Sequence, residues 1–261
     1  LRRARTWPLF GALIAFCFAG PLLWRLDPLA VDSSHVLAPP SAAHWLGTDA
    51  LGRDELARVM QGGATTLSVA STAAVLAFLL GSAYGFAASL GPAWLDRALM
   101  RLLDTILALP SLVALICAAA LLPPNDASLA LLIGLVSWPP LARLVRNEAR
   151  ALRNRDFVLV AEQLGAGPLA LATRQLLPVM GRLLAVNATF LLGDAILALS
   201  SLSFLGLAIQ PPRPSWGELL EEGMALVTLH AWWLLLPPSL LITASLFAAN
   251  ALGGALLRGR Q

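Results

Sequence analysis

The chain has 261 residues, of which 58% are hydrophobic and only 13% charged, with a mean hydropathy of +0.75. A soluble domain this apolar has too little polar surface to cover its core, so composition overrides the one or two soluble domains that length alone would allow. Its 18 basic residues are all Arg, set against 15 acids for a net charge of +3, and without a Lys the phosphate-cradling Walker A loop is excluded, so any nucleotide-driven step falls to another chain.

Apolar blocks about 20 residues long, the length that crosses a bilayer, divide the chain into six expected spans. The first, Trp7–Trp24, follows Arg2, Arg3 and Arg5 in the layout of a signal peptide. No A-x-A cleavage site follows it, and Phe16 before Cys17 does not suit lipoprotein cleavage, so an uncleaved span is expected. The chain opens on Leu1 rather than Met, which leaves room for residues upstream. A long loop, roughly 25–63, carries His35, His44, Asp49, Arg53, Asp54 and Glu55. The second span, Ala64–Leu90, holds Gly81 and Gly85, whose small-xxx-small spacing suits close packing against a helix of the same chain. In the third, Ala98–Leu122, Arg101 and Asp104 are spaced to pair across one turn. The fourth, Ala127–Leu141, is short and holds Trp138-Pro139-Pro140, where missing backbone donors kink or end a helix.

A loop at about 142–182 leads to the fifth span, Leu183–Leu207, in which Asp194 is the only acid deep in a span. The loop at 208–231 is stiffened by Pro211, Pro212 and Pro214, with Trp216 expected as an anchor at the membrane surface. The sixth span is Trp232–Leu257, with Ala249 and Gly253 again at small-xxx-small spacing. Cys17 and Cys117 fall inside spans and read as small buried hydrophobes rather than as metal or disulfide partners.

Arginine placement sets the orientation, because loops facing the cytoplasm carry the basic excess. With the N-terminus inside, the inner segments hold Arg2, Arg3, Arg5, Arg97, Arg101, Arg143, Arg146, Arg150, Arg153, Arg155, Arg174, Arg182, Arg258 and Arg260. Only Arg25, Arg53, Arg58 and Arg213 lie outside. The expectation is an all-α integral membrane protein with six transmembrane helices and both termini cytoplasmic. Residues 1–63 form a first span with its periplasmic loop, and 64–261 form a five-span core.

The loop at 142–182 is expected to hold two short helices. Arg155–Leu164 places Phe157, Val160, Ala161 and Leu164 on one face. Gly165 can take the left-handed conformation that ends a helix at little steric cost. Gly167 follows, and Pro168 suits the first turn of a second helix, where its missing amide is not needed. Leu169, Ala172, Leu176 and Leu177 make that helix amphipathic, and Pro178 is expected to close it. The result is an exposed corner on the arginine-rich side; a loop lying against anionic headgroups fits the same residues.

The pattern Gly165-Ala166 followed by Leu177-Pro178 resembles the EAA loop of binding-protein-dependent ABC importer permeases. The usual Glu-Ala-Ala slots hold Leu159, Val160 and Ala161, with Glu162 displaced. Such degeneracy resembles the dipeptide, oligopeptide and nickel branch. His44-Trp-Leu-Gly-Thr-Asp-Ala-Leu-Gly-Arg-Asp54 and Ser203-Phe-Leu-Gly-Leu, followed by Gln210-Pro-Pro-Arg-Pro-Ser-Trp-Gly217, are similar to segments of that branch. So are Leu109-Pro110 after Asp104 and Ser137-Trp-Pro-Pro-Leu-Ala-Arg143, so the resemblance covers about 44–257. Leu199, where relatives often carry Glu, and Ala208, where Gly is usual, depart from it.

The resemblance implies a type I ABC importer permease fold in the bacterial inner membrane. Half of a pore is formed beside a homologous permease, with two cytoplasmic ATPases and an external solute-binding protein. It implies that Ala161, Glu162, Gly165, Ala166, Gly167, Pro168, Leu177 and Pro178 form the coupling helix region that docks on the ATPase. No catalysis and no cofactor are expected on this chain, ATP and Mg belonging to the ATPases; nor is a nucleic-acid partner. The cargo implied is a dipeptide or oligopeptide, or alternatively nickel, a metal chelate or glutathione.

Asp194, with Asn187 and Ser203, is the candidate lining of a translocation path, since a charge at that depth faces water, a partner or the bundle interior. The alternative for Asp194 is a bond to Asn187, Asn250 or the paired permease. Asp49, Arg53, Asp54 and Glu55 are candidate contacts for the binding protein, although an amphipathic helix lying on the membrane suits the first loop equally; Gln210 and Trp216 are the residues singled out in the later periplasmic loop. His35, His44 and His230 show no ligand spacing, so no metal is expected. Internal repeats around a midplane ion site, the mark of many secondary transporters, are not found. An H-E-x-x-H motif and a deep carboxylate pair are missing too, which speaks against a membrane enzyme.

Overall fold

The protein is described from a computed structural model covering residues 6–24, 26–123, 125–209 and 211–257. Arg2, Arg3, Arg5, Arg25, Gln210, Arg258 and Arg260 lie outside the described residues. The regular structure of the described chain is helical apart from one isolated bridge between Thr48 and Asp54, with irregular loops between the helices. Among the described residues, three helices are long and apolar enough to cross a membrane, or up to five if each of two bent pairs counts as one.

The first apolar run divides at Ala19 into α1 (Thr6–Phe18) and α2 (Gly20–Trp24). Helix α3 (Glu55–Leu90) starts nine residues before the expected Ala64, because Asp54 caps it by accepting the Ala57 N–H at 3.0 Å. At about 1.5 Å per residue its 36 residues run roughly 54 Å, well beyond a hydrocarbon core of about 30 Å. The extra turns are buried by the rest of the chain rather than by lipid.

The third expected span is two helices, α4 (Ala93–Leu107) and α5 (Ser111–Ala119), bent by 78° where Pro110 withholds an N–H. The fourth, α6 (Asp126–Ser137), bends by 43° at Trp138 into α7 (Pro139–Arg153), so a helix occupies the start of the expected loop. Asp104 pairs with Arg143 of α7 and not with Arg101 on its own helix. The bend lays α4 beside α7, where Asp96 also meets Arg146 at 2.5 Å and Arg150 at 2.6 Å. Cys17 is buried, but Cys117 is exposed because α5 sits at the edge of the bundle.

Helices α8 (Asp156–Gln163) and α9 (Pro168–Ala170) form the expected pair. Pro178 does not close the second helix: α9 passes through a π-helical turn, Leu171–Leu176, into α10 (Leu177–Phe204). Proline cannot donate to the carbonyl four residues back, and the wider turn absorbs this, with the Leu177 N–H donating to the Ala172 carbonyl. Helix α11 (Trp216–Ala225) folds back into the bundle, and α12 (Trp232–Leu257) closes the chain.

Helix α3 is the hub, packing on α6, α7 and α10, while α10 also packs on α12. Gly85 permits the α3–α7 approach: a Cβ there would stand 2.6 Å from the Val145 Cβ and 2.7 Å from the Ala142 carbonyl oxygen. The glycine pair thus serves packing within the chain.

Candidate functional site

Three features stand apart from plain helix packing: a corner at the arginine-rich end, a groove at mid-bundle, and a charged cap at the opposite end.

The corner is built by a Schellman turn. The Gly165 N–H donates to the Glu162 carbonyl and the Ala166 N–H to the Ala161 carbonyl, both at 3.0 Å, while Gly165 sits at φ +85. Pro168 then opens α9 at its first position. Val158 is fully buried and anchors α8, whereas the face of Phe157, Val160 and Leu164 is exposed. Leu164 and Leu169 are 83% and 77% exposed, so the corner presents apolar surface, Gly165 and Gly167 stand open, and Leu177 is exposed on the following helix. Behind the corner Arg153 donates to Glu162 and to the Ser89 carbonyl, both at 3.1 Å, tying α7, α8 and the end of α3 together.

The groove, of about 610 Å³, runs between α10 and the two bent pairs. Asp194 opens into it beside Ser111, Ser137 and Ser201. Asn187 instead donates to the Leu183 carbonyl of its own helix, and Ser203 is buried against α11 where Gly217 passes. Of the three polar residues expected along one path, the structure brings only Asp194 to this groove.

At the opposite end the residues expected as an exposed contact surface or a membrane-lying helix form a buried ionic cluster in an irregular loop. Arg53 pairs with Asp49 at 2.5 Å. Arg58, 1% exposed, bridges Asp49 at 2.6 Å and Glu222 of α11 at 2.5 Å. Asp54, besides capping α3, meets His44 at 2.9 Å. Glu55 is buried with neither carboxylate oxygen hydrogen-bonded among the described residues. Trp216 is not a surface anchor. Ser215 and Glu218 form a capping box that starts α11 inside the bundle, and the fully buried Trp216 indole donates to the Val59 carbonyl at 3.0 Å.

Burial, reinforced by Glu222, pushes the Glu218 carboxyl up to about 7 from an ordinary 4.5, with Arg58 opposing. A raised acid favours the folded state below its unfolded value and loses that contribution as pH rises through its folded value. The thermal midpoint of the wild type is therefore expected to fall relative to Glu218→Gln between pH 4.5 and 7 and to run parallel above it. Parallel melting curves across that window would refute the buried, proton-holding carboxyl.

Sequence reasoning passed over Arg58, Glu218 and Glu222. The signals present were the Ser215-x-x-Glu218 capping box and the Asp54 cap; the Arg58–Glu222 ion pair joins residues 164 positions apart.

A family model described as "Binding-protein-dependent transport system inner membrane component" matches residues 74–259. The chain is 34% identical over 251 residues to the dipeptide transport system permease protein of Bacillus subtilis strain 168, covering 95% of this chain and 78% of that one. It is 36% identical over 255 residues to the di/tripeptide transport system permease protein of Pseudomonas aeruginosa strain UCBPP-PA14, covering 95% and 84%. A Brucella suis protein named as a peptide permease is 36% identical over 251 residues, covering 95% and 82%.

Proposed function

Because the chain belongs to the family of binding-protein-dependent transport system inner membrane components, we propose that it is one of two permease subunits of an ATP-driven importer of dipeptides or oligopeptides. Six spans hold both termini in the cytoplasm, with residues 64–261 as the five-span core. The chain contributes half of the pore beside a homologous permease, two ATPases act from the cytoplasm, and an external binding protein delivers the cargo. The names of the relatives support the cargo class.

The observation that carries the coupling role is the corner at Gly165. Water-exposed leucines on a rigid, glycine-shaped turn suit a groove on a partner rather than solvent. ATP binding brings the two ATPases together and moves both corners, and α9, the π-helical turn and α10 form one continuous helical path from that corner to Asp194. Catalysis stays on the ATPases.

Burying one leucine is worth about 1.5–3 kcal/mol, so Leu164→Glu is expected to weaken ATPase binding by roughly ten- to a hundredfold. The measurement is co-purification of the ATPase with the tagged permease from membranes. Undiminished recovery of the ATPase with the variant would sink the docking assignment.

A further inference from the structure

We infer that Asp194 is the anionic contact for a cationic ammonium or guanidinium group of the cargo, within the groove between α10 and the bent helices. This rests on the permease reading above and gives its path a charge preference.

Two independent features place water or protein, rather than lipid, on this face. The first is Asp194 itself, which is exposed and has no hydrogen bond or ion pair among the described residues. It lies ten residues before the end of α10 at Phe204. That is about 15 Å along the axis, half the depth of a hydrocarbon core of about 30 Å. An unpaired carboxylate at that depth is tolerated only toward a partner or a water-filled path.

The second is backbone. Both helix breaks, at Pro110 and at Trp138-Pro139-Pro140, adjoin the same groove. Pro139 and Pro140 have no N–H to offer the Leu135 and Val136 carbonyls, four residues back. Freed backbone at membrane depth persists only where it is buried in protein or lines an aqueous cavity.

The lining then selects the ligand. Among the described residues it holds one carboxylate, the hydroxyls of Ser111, Ser137 and Ser201, apolar side chains, and no Arg or His. Its volume of about 610 Å³ falls in the range of small-ligand sites. A negative, hydroxyl-bearing, otherwise apolar groove favours a cation joined to an apolar body. A peptide supplies one from its amino terminus or from a basic side chain.

The test uses the intact transporter, purified with its partner chains and reconstituted in vesicles. Uptake of alanyl-alanine, lysyl-alanine and pyroglutamyl-alanine is compared between wild type and Asp194→Asn. The binding protein is a separate, unaltered chain, so its own preference cancels in each variant-to-wild-type ratio. Loss of roughly tenfold for alanyl-alanine and lysyl-alanine, beside a smaller loss for pyroglutamyl-alanine, identifies the terminal ammonium. Loss confined to lysyl-alanine identifies the side-chain cation. Asp194→Glu is expected to restore uptake in either case. Equal loss for all three peptides makes Asp194 a structural or subunit-pairing group and overturns the inference, as does no loss for any. A wild-type transporter that moves none of the three overturns the peptide-importer reading itself, a failure separate from that of Asp194.

Discussion

Gly165→Val is expected to abolish ATP-dependent uptake, by roughly a hundredfold or more, while the protein still inserts and accumulates in the membrane. Gly165 holds φ +85, where a β-branched residue is a steric outlier costing about 1–2 kcal/mol. Relief of that strain requires the turn to give up the bonds from Gly165 to Glu162 and from Ala166 to Ala161, and so re-aims Leu164 and Leu169. A Cβ at Gly165 would meet nothing within 4 Å, so the damage is confined to backbone geometry and leaves the bundle intact. Gly167 provides the control. It sits at φ −74 and is equally open, so Gly167→Ala should transport at nearly the wild-type rate. Uptake is measured in vesicles with the ATPase and binding protein present, and a wild-type rate for Gly165→Val would remove the corner from the coupling path.

That corner was legible because everything that makes it is local. A left-handed glycine, a proline three residues on and apolar residues at helical spacing all lie within one short segment. The same local rules misjudged Pro178, since proline marks a lost hydrogen bond but not how the chain absorbs the loss. Here a π-helical turn takes it up and the helix continues. Span three failed for a related reason: hydropathy averaged over Ala98–Leu122 hides the break at Pro110, and the amphipathic α4 lies against α7 through Asp96 and Asp104. The charged cap was not legible. Asp49, Arg53 and Arg58 look like surface residues until α11 folds back and brings Glu218 and Glu222 to them. Only the tertiary fold supplies those partners. The groove lay between these extremes: Asp194 was conspicuous as a lone deep acid, but the residues facing it across the groove come from helices about 50 to 90 residues away along the sequence.

The largest stability loss is expected at Arg58. Its guanidinium joins Asp49 in the first long loop to Glu222 in α11, with Glu218 at 3.8 Å. Arg58→Ala leaves Asp49, Glu55, Glu218 and Glu222 together with Arg53 alone, and stripping one partner from a buried pair costs about 3–5 kcal/mol. For a chain of this size that is a fall in thermal midpoint of roughly 6–20 °C. Hydrogen exchange should rise first in 47–58 and 216–225, the two segments the guanidinium ties together. The charges themselves need not be net stabilising, because burying them costs about as much as their attraction returns. Arg58→Met combined with Asp49→Asn and Glu222→Gln is therefore expected to melt much closer to wild type than Arg58→Ala does. Arg58→Lys should recover less, since a single ammonium cannot reproduce the fork that reaches both carboxylates. An Arg58→Ala protein with unchanged melting and exchange would mean that the loop and α11 are held by Trp216 and the apolar contacts alone. Intermediate recovery by the neutral triple variant would instead apportion the cap between charge and packing.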